Sequence, residues 1–223
     1  KYKIIAIIQC RLNSRRLPNK ALLKLNRVPV IMRMIDRVKK SKLINEIWVA
    51  TGKSRENNKL CKLLSNENIK TFRGDENDVL SRFMEIASNT KADYIVRLTA
   101  DCPLVDPNII DKSVTSIIKL KFDYVSNILK RSYPDGLDVE VFSRNTLQET
   151  FEKVSDDFSK EHVTTYMHGL HEKKYKKGKF KKFNIENSIN LSHMRWTLDE
   201  EKDYHFINDI FCNLKHDFSW EEV

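Results

Sequence analysis

Arg11, Arg15, Arg16 and Lys20 crowd into the ten positions 11–20, interleaved with Asn13, Ser14 and Asn19, in the stretch QCRLNSRRLPNKALL. Four cations this close repel one another unless an anion lies between them, and a nucleoside triphosphate is the natural candidate. Two carboxylates complement them. Asp101 stands in RLTADCPL and Asp199 in RWTLDEE, each just past a run that reads as a strand. Hard oxygen ligands suit Mg²⁺, which takes one or two protein carboxylates and completes its shell with substrate phosphates and water. Cations holding a triphosphate, with Mg²⁺ joining its oxygens to Asp101 and Asp199, make a metal-assisted phosphoryl or nucleotidyl transfer site. Each carboxylate also has a plainer reading. Asp101 is placed to cap the turn or helix behind it. Asp199 is placed as the N-cap of the last helix, with Glu200 and Glu201 favourable in its first turn.

Other residues are weaker candidates. In FRGDENDV, Gly74 lets the backbone approach a base or ribose closely, although a plain strand–turn–helix connection explains the loop equally well. In YPDGLDVE, Asp138 and Glu140 alternate and so share one strand face, which is either a polar substrate wall or a solvated one. Glu161, His162 and His193 add further polar side chains, and a single histidine is more often structural.

The elements that carry these residues follow from hydrophobic periodicity. Apolar runs at 4–8, 46–50 and 94–98, with a short one at 70–72, read as strands. Amphipathic stretches at 29–40, 57–67, 78–90 and 108–119 read as helices, and Asp78 is placed to cap the third. This alternation predicts a mostly parallel sheet whose ligand sits at the carboxyl ends of the strands. The first strand then empties straight into the cationic loop. From residue 123 the pattern changes to strands at 123–126 and 137–142, helices at 143–152 and 159–170, a strand at 194–197 and a last helix at 201–214. No repeat or linker divides the chain, so it reads as one domain, with a nucleotide-binding half at 1–122 and an acceptor-side half at 123–223.

Composition narrows the class. The 223 residues are 40% hydrophobic and 32% charged, the balance of a soluble globular protein. No apolar run approaches the roughly 20 residues of a membrane span, and no leader is visible. The chain opens on Lys1 and closes on a segment unlike a finished helix, so it reads as trimmed. Cys10, Cys61, Cys102 and Cys212 lack metal-ligand spacing and read as reduced thiols of a cytoplasmic protein. The net charge of +9 is concentrated in Lys173, Lys174, Lys176, Lys177, Lys179, Lys181 and Lys182. Few aromatics interleave with them and no nucleic-acid-binding signature accompanies them, so they read as a solvated loop rather than a nucleic-acid surface.

The runs IIQCRLNSRRLPNKALL, FRGDENDVLSRF, VRLTADCPLVDP, YPDGLDVEVF, EHVT and LSHMRWTLDE cover nearly the whole chain. In this order they resemble the spore-coat polysaccharide synthesis protein F family. That family is similar to the cytidylyltransferases that activate sialic acid and 3-deoxy-manno-octulosonate. The resemblance implies a three-layer α/β/α, Rossmann-like nucleotide-diphospho-sugar transferase fold with a mostly parallel sheet. It also implies Mg²⁺-dependent transfer of CMP from CTP to a sugar acid, release of pyrophosphate, and homodimers as in many relatives. Carried over by motif, Arg11, Arg16, Lys20 and Asp101 are catalytic, and Asp101 and Asp199 are the metal ligands. The nucleotide set is Arg11, Asn13, Ser14, Arg15, Arg16, Lys20, Arg73, Gly74, Asp75, Thr99 and Asp101. The acceptor set is Asp135, Asp138, Glu140, Glu161, His162 and Arg195. Relatives carry glycines where this chain has Asn13, Asn19 and Ala100. Asparagine tolerates positive φ better than most residues, which preserves the loop. The rival readings are transfer to a phosphate or phosphonate acceptor, and a non-catalytic nucleotide- or nucleic-acid-binding protein.

Overall fold

The computed structural model describes residues 1–14, 16–169, 180–215 and 217–223. Arg15, Leu170 and Lys173, Lys174, Lys176, Lys177 and Lys179 of the basic run lie outside the described residues. The run IIAII is apolar toward both faces, and such a strand is stable only when covered from both sides. It becomes β1 (Ile4–Gln9), in the middle of the sheet. A small hairpin, β2 (Lys24–Leu25) and β3 (Val28–Pro29), leads into α1 (Val30–Val38). Then come β4 (Glu46–Gly52), α2 (Asn58–Asn66), β5 (Lys70–Gly74), α3 (Val79–Thr90), β6 (Tyr94–Thr99) and α4 (Pro107–Leu120). The second half supplies β7 (Tyr124–Ser126), β8 (Glu140–Ser143), α5 (Arg144–Lys153), α6 (Asp157–His162), α7 (Thr165–His168), β9 (Lys182–Asn184) and α8 (Glu201–Asn213).

Seven strands form one sheet in the order β5-β4-β1-β6-β8-β7-β9, and β8 alone among them runs against its neighbours. The chain leaves β1 toward β4 and β5, then returns to β6 on β1's other side. The crevice between the carboxyl ends of β1 and β6 is therefore the topological switch point, where open α/β sheets bind ligands. Ile4, Ala6 and Ile8 face a core built with α1, α2, α4 and α8, while Ile5 and Ile7 face one built with α3, α5 and α7. All four isoleucines of β1 are at most 5% exposed, and burying each such side chain contributes about 1.5–3 kcal/mol.

The helices of the first half form where periodicity puts them, with ends moved by one or two residues. Asp78 caps α3 by accepting from Ser81 N at 2.7 Å, and Asp106 with Pro107 opens α4. The second half departs further. The helix expected at 159–170 is two short ones, α6 and α7, because Val163 turns to φ 60° and ψ −55° while Thr164 N donates to His162 O at 2.6 Å. This γ-turn is rare for any residue and costly for a β-branched one. The strand expected at 137–142 begins only at Glu140. Ahead of it, the Asn127 side chain donates to Leu137 O and accepts from Val139 N, replacing a ladder partner. The strand expected at 194–197 is a single parallel bridge between Asp135 and Arg195. Here Asp135 N donates to Met194 O at 2.9 Å and Trp196 N to Asp135 O at 2.6 Å. Gly136, at φ 117°, lets the two segments meet, since a Cβ there would lie 2.6 Å from the Trp196 carbonyl carbon.

Two stability predictions follow from these contacts. Hydrogen bonds from Lys3 and Lys70 outweigh burial and, with one from the Trp48 indole, hold the Glu46 carboxyl down at about 2 from an ordinary 4.5. A depressed carboxyl stabilises the fold above its unfolded value and loses that contribution as pH falls through its folded value. Glu46→Gln therefore lowers the melting temperature near neutral pH, and the difference from wild type shrinks between 4.5 and about 2. A difference constant across that window removes the assignment. Gly136→Ala forces backbone against backbone in a φ region hostile to alanine, and should cost about 1–3 kcal/mol in urea unfolding.

Candidate active site

A cleft of about 840 Å³ opens at the carboxyl ends of β1 and β6. Its first wall is the loop after β1, which contributes Arg11, Asn13, Ser14, Arg16 and Lys20. Leu12 N donates to the buried Asn57 side chain, and Asn19 N closes back on Leu12 O at 3.1 Å. Asn57 also donates to Gly52 O, Ser54 Oγ and Glu76 Oε1, so one amide ties the loop to the ends of β4 and β5. Asn19 sits at φ 57°, whereas Asn13 and Ala100 are absent from the residues with positive φ. Only one of the three positions where relatives carry glycine thus uses a glycine-like backbone. Asparagine is well suited to it.

Lys20 is the centre of the cleft. Its Nζ donates to Asp101 Oδ2 at 3.0 Å, Asp199 Oδ1 at 2.9 Å and Leu198 O at 2.9 Å, which uses all three ammonium protons. Burial alone would pull the Lys20 ammonium down, but the charge of Asp101 and its hydrogen bonds to both carboxylates raise it above its ordinary value. Burial likewise pushes Asp199 up, and Lys20, Arg16 and Arg195 together hold it below the usual carboxylate range. Lys20 and Asp199 are thus both charged.

Neither carboxylate is consumed by capping. Asp106 caps α4, and Asp203 reaches back to Asp199 N and Glu200 N at the start of α8. Asp199 is therefore one residue ahead of the helix N-cap, Glu200, with its side chain free to face Lys20. Leu198 N donates to Asp101 O at 2.8 Å, so the late segment docks directly on the end of β6. The other described cations of the loop, Arg11 and Arg16, have carboxylate partners too. Arg11 pairs with Glu161 at 2.7 Å and Arg16 with Asp199 at 3.0 Å. The repulsion expected among these cations is thus relieved by carboxylates of the same chain.

The structure brings Arg11, Asn13, Ser14, Arg16, Lys20, Thr99, Asp101, Glu161, His162 and Asp199 to this one cleft. The strained turn at Val163 ends α6 and leaves Glu161 and His162 at its wall. Other candidates stand elsewhere. Arg73 donates to Gly52 O, Lys53 O, Ser54 O and Asn58, and Asp75 accepts from Asn77 N and Asp78 N. At Gly74 a Cβ would lie 2.6 Å from Arg82 Cγ, so the glycine makes room for the buried Arg82. Asp138 pairs twice with Arg131, which also reaches Asp135 at 3.2 Å. Arg195 binds Asp199 at 2.9 Å. Glu140, at 3% exposure, is neither a solvated wall nor on a common strand face with Asp138, which precedes β8. It is bound by Arg97 and by the Tyr124 hydroxyl.

Sequence reasoning passed over Gln9, Asn77, Arg82 and Arg97, all of which line the cleft. The signal for Arg97 was present, since a lone cation inside the apolar run YIVRLT demands a partner. Cys10 also lines the cleft at 4% exposure, and burial, aided by the charge of Asp101, pushes its thiol up to about 12.

This architecture and its motifs recur in known proteins. A protein of Methanocaldococcus jannaschii described as uncharacterized is 38% identical over 206 residues, spanning 91% of this chain and 80% of its own. The spore coat polysaccharide biosynthesis protein SpsF of Bacillus subtilis is 28% identical over 93% of this chain and 86% of its own. A 3-deoxy-manno-octulosonate cytidylyltransferase of Geobacter metallireducens is 28% identical over 69% of this chain and 66% of its own. The solved structure of a cytidylyltransferase from Leptospira borgpetersenii superposes with a TM-score of 0.91 at 29% identity, covering 100% of this chain and 92% of that one. The family model described as cytidylyltransferase matches residues 5–221. With its sheet, its switch-point cleft and its ordered motifs, the chain belongs to the cytidylyltransferase family and is a CTP-dependent enzyme of that class.

Proposed function

We propose that this enzyme transfers CMP from CTP to a hydroxyl of a sugar acid, with Mg²⁺ at Asp101 and Asp199 and release of pyrophosphate. The observation that carries this reading is Lys20 bound between those two carboxylates, at the end of a loop that also presents Arg11 and Arg16. The acceptor class is supported by the octulosonate cytidylyltransferase among its relatives. Asp101 and Asp199 fit a hard divalent cation, because both reach one nitrogen at 3.0 and 2.9 Å, close enough for a single small ion to span them. No cluster of three carboxylate, histidine or cysteine ligands occurs among the described residues, which suits Mg²⁺ that draws its other ligands from phosphate and water. When bound, Mg²⁺ offsets the negative charge on the α-phosphate and on pyrophosphate.

The chain's own residues do the rest. Arg11, Arg16 and Lys20 exchange Glu161, Asp199 and Asp101 for phosphate oxygens, so the triphosphate enters by replacing one set of anions with another. Asn13, Ser14 and Thr99 supply neutral hydrogen-bonding groups around it. Arg73, Gly74 and Asp75 act at one remove, by shaping the turn that carries Asn77 to the cleft. Glu161 and His162 border the acceptor space, while Arg195 keeps Asp199 in position. Catalysis is then mainly alignment for in-line attack plus charge stabilisation, with no covalent nucleophile. We place the reaction in the cytoplasm. All four cysteines are free, as a reducing compartment favours, and no helix among the described residues is long and apolar enough to cross a membrane.

The test begins with melting temperatures in CTP, UTP, ATP and GTP, each with and without Mg²⁺, because ligand stabilisation needs no knowledge of the acceptor. CTP should give a selective shift that Mg²⁺ enhances, and sugar acids should then release pyrophosphate. The mass of the nucleotide product separates a CMP-sugar from the CDP-linked product of a phosphate acceptor. Asp101→Ala should fold normally, since Lys20 keeps Asp199 and Leu198 O, and should lose about 100-fold or more in kcat. Wild-type turnover by that variant defeats the metal assignment.

A further inference from the structure

Arg97 is a cation in the cleft that the phosphate-binding loop does not explain. It lies on β6 beside Ile7 of β1 and opposite Glu140 of β8. By strand alternation it shares a face with Thr99, and both line the cleft. Its Nε donates to Gln9 Oε1 at 3.1 Å and its Nη1 to Glu140 Oε1. Glu140 is fixed in turn by the Tyr124 hydroxyl, which donates to its other oxygen at 2.9 Å. Three residues on three different strands thus lock the plane of one guanidinium whose side chain is 10% exposed.

A guanidinium has five N–H donors, and these contacts use two. The Nη2 group has no partner among the described residues and keeps some accessible surface, on a residue that lines the cleft. A residue that served only to neutralise Glu140 would not need a free, rigidly aimed edge on the cavity side. The other loop cations, Arg11, Arg16 and Lys20, already have carboxylate partners that a triphosphate replaces. Arg97 lies four residues before Asp101, about 13 Å further back along the strand direction at roughly 3.3 Å per residue, and its long side chain spans part of that distance.

We propose that Arg97 is the specificity-determining residue that binds the carboxylate of the acceptor, presenting its unpartnered Nη2 group beside the second Nη1 proton as a fork. This rests on the sugar-acid reading above. A planar fork held by Gln9 and Glu140 matches the two oxygens of a carboxylate and meets a neutral hydroxyl or amide less well. It also orients the acceptor, because a ligand anchored at Arg97 turns its opposite end toward Asp101 and the phosphate loop.

The test compares wild type with Arg97→Lys, which keeps a cation against Glu140 but loses the fork. Arg97→Met combined with Glu140→Gln removes both buried charges together and guards against misfolding from one left unpaired. A panel of sugar acids and the matching carboxamides is titrated into the CTP-loaded protein, reading both binding and pyrophosphate release. Wild type should prefer acid over amide by about 10- to 100-fold, the factor expected for a charge-assisted hydrogen bond. In both variants that preference should collapse and the acceptor KM should rise, with CTP affinity and melting temperature near wild type. If acids are bound and turned over selectively, and the variants keep that preference, the assignment of Arg97 is overturned while the functional reading stands. If wild type binds CTP yet neither binds nor turns over any acid better than its amide, the sugar-acid reading falls and the Arg97 assignment falls with it.

Discussion

One ammonium group holds this architecture to its purpose. Lys20 joins the loop after the first strand to the end of β6 and to the segment ahead of the last helix, three pieces of chain more than 80 residues apart in sequence. Two carboxylates that converge without a cation between them would repel, and one would be driven to take up a proton. Lys20 lies between them and donates to both. The surrounding geometry serves this convergence: the crossover that opens the crevice, the glycine that lets Asp135 meet Arg195, and the Asp203 cap that frees Asp199.

The cleft is therefore balanced within itself before any ligand arrives. Arg11, Arg16 and Lys20 each rest on a carboxylate, so under the proposed function an entering nucleotide would exchange partners rather than fill a bare positive pocket. Such an exchange weakens the raw attraction for any anion. It would favour a ligand that brings its own cation, because that cation could take the carboxylates as the phosphates took the arginines.

The first half was legible because its signals are local. Apolar runs and amphipathic stretches specify β1, β4, β6 and the helices between them, and the ligand-bearing loop follows from its place after β1. The second half was less so because side chains from distant positions override local pattern. Asn127 substitutes for a ladder beside Leu137 and Val139, a γ-turn at Val163 breaks a helix that periodicity supports, and β9 emerges from a lysine-rich stretch. The convergence of the loop after β1 with the two aspartates was readable from their types and places at strand ends. The roles of Gly74 and Glu140 were not, since they depend on Arg82, Arg97 and Tyr124 arriving from elsewhere in the chain.

Cys10 carries a consequence of a different kind. A thiol at the foot of the loop after β1, 4% exposed and pushed by burial up to about 12, is chemically silent while the packing around it holds. Its alkylation therefore requires that packing to open. The rate at which an alkylating reagent consumes the thiol therefore measures the local opening free energy of that packing.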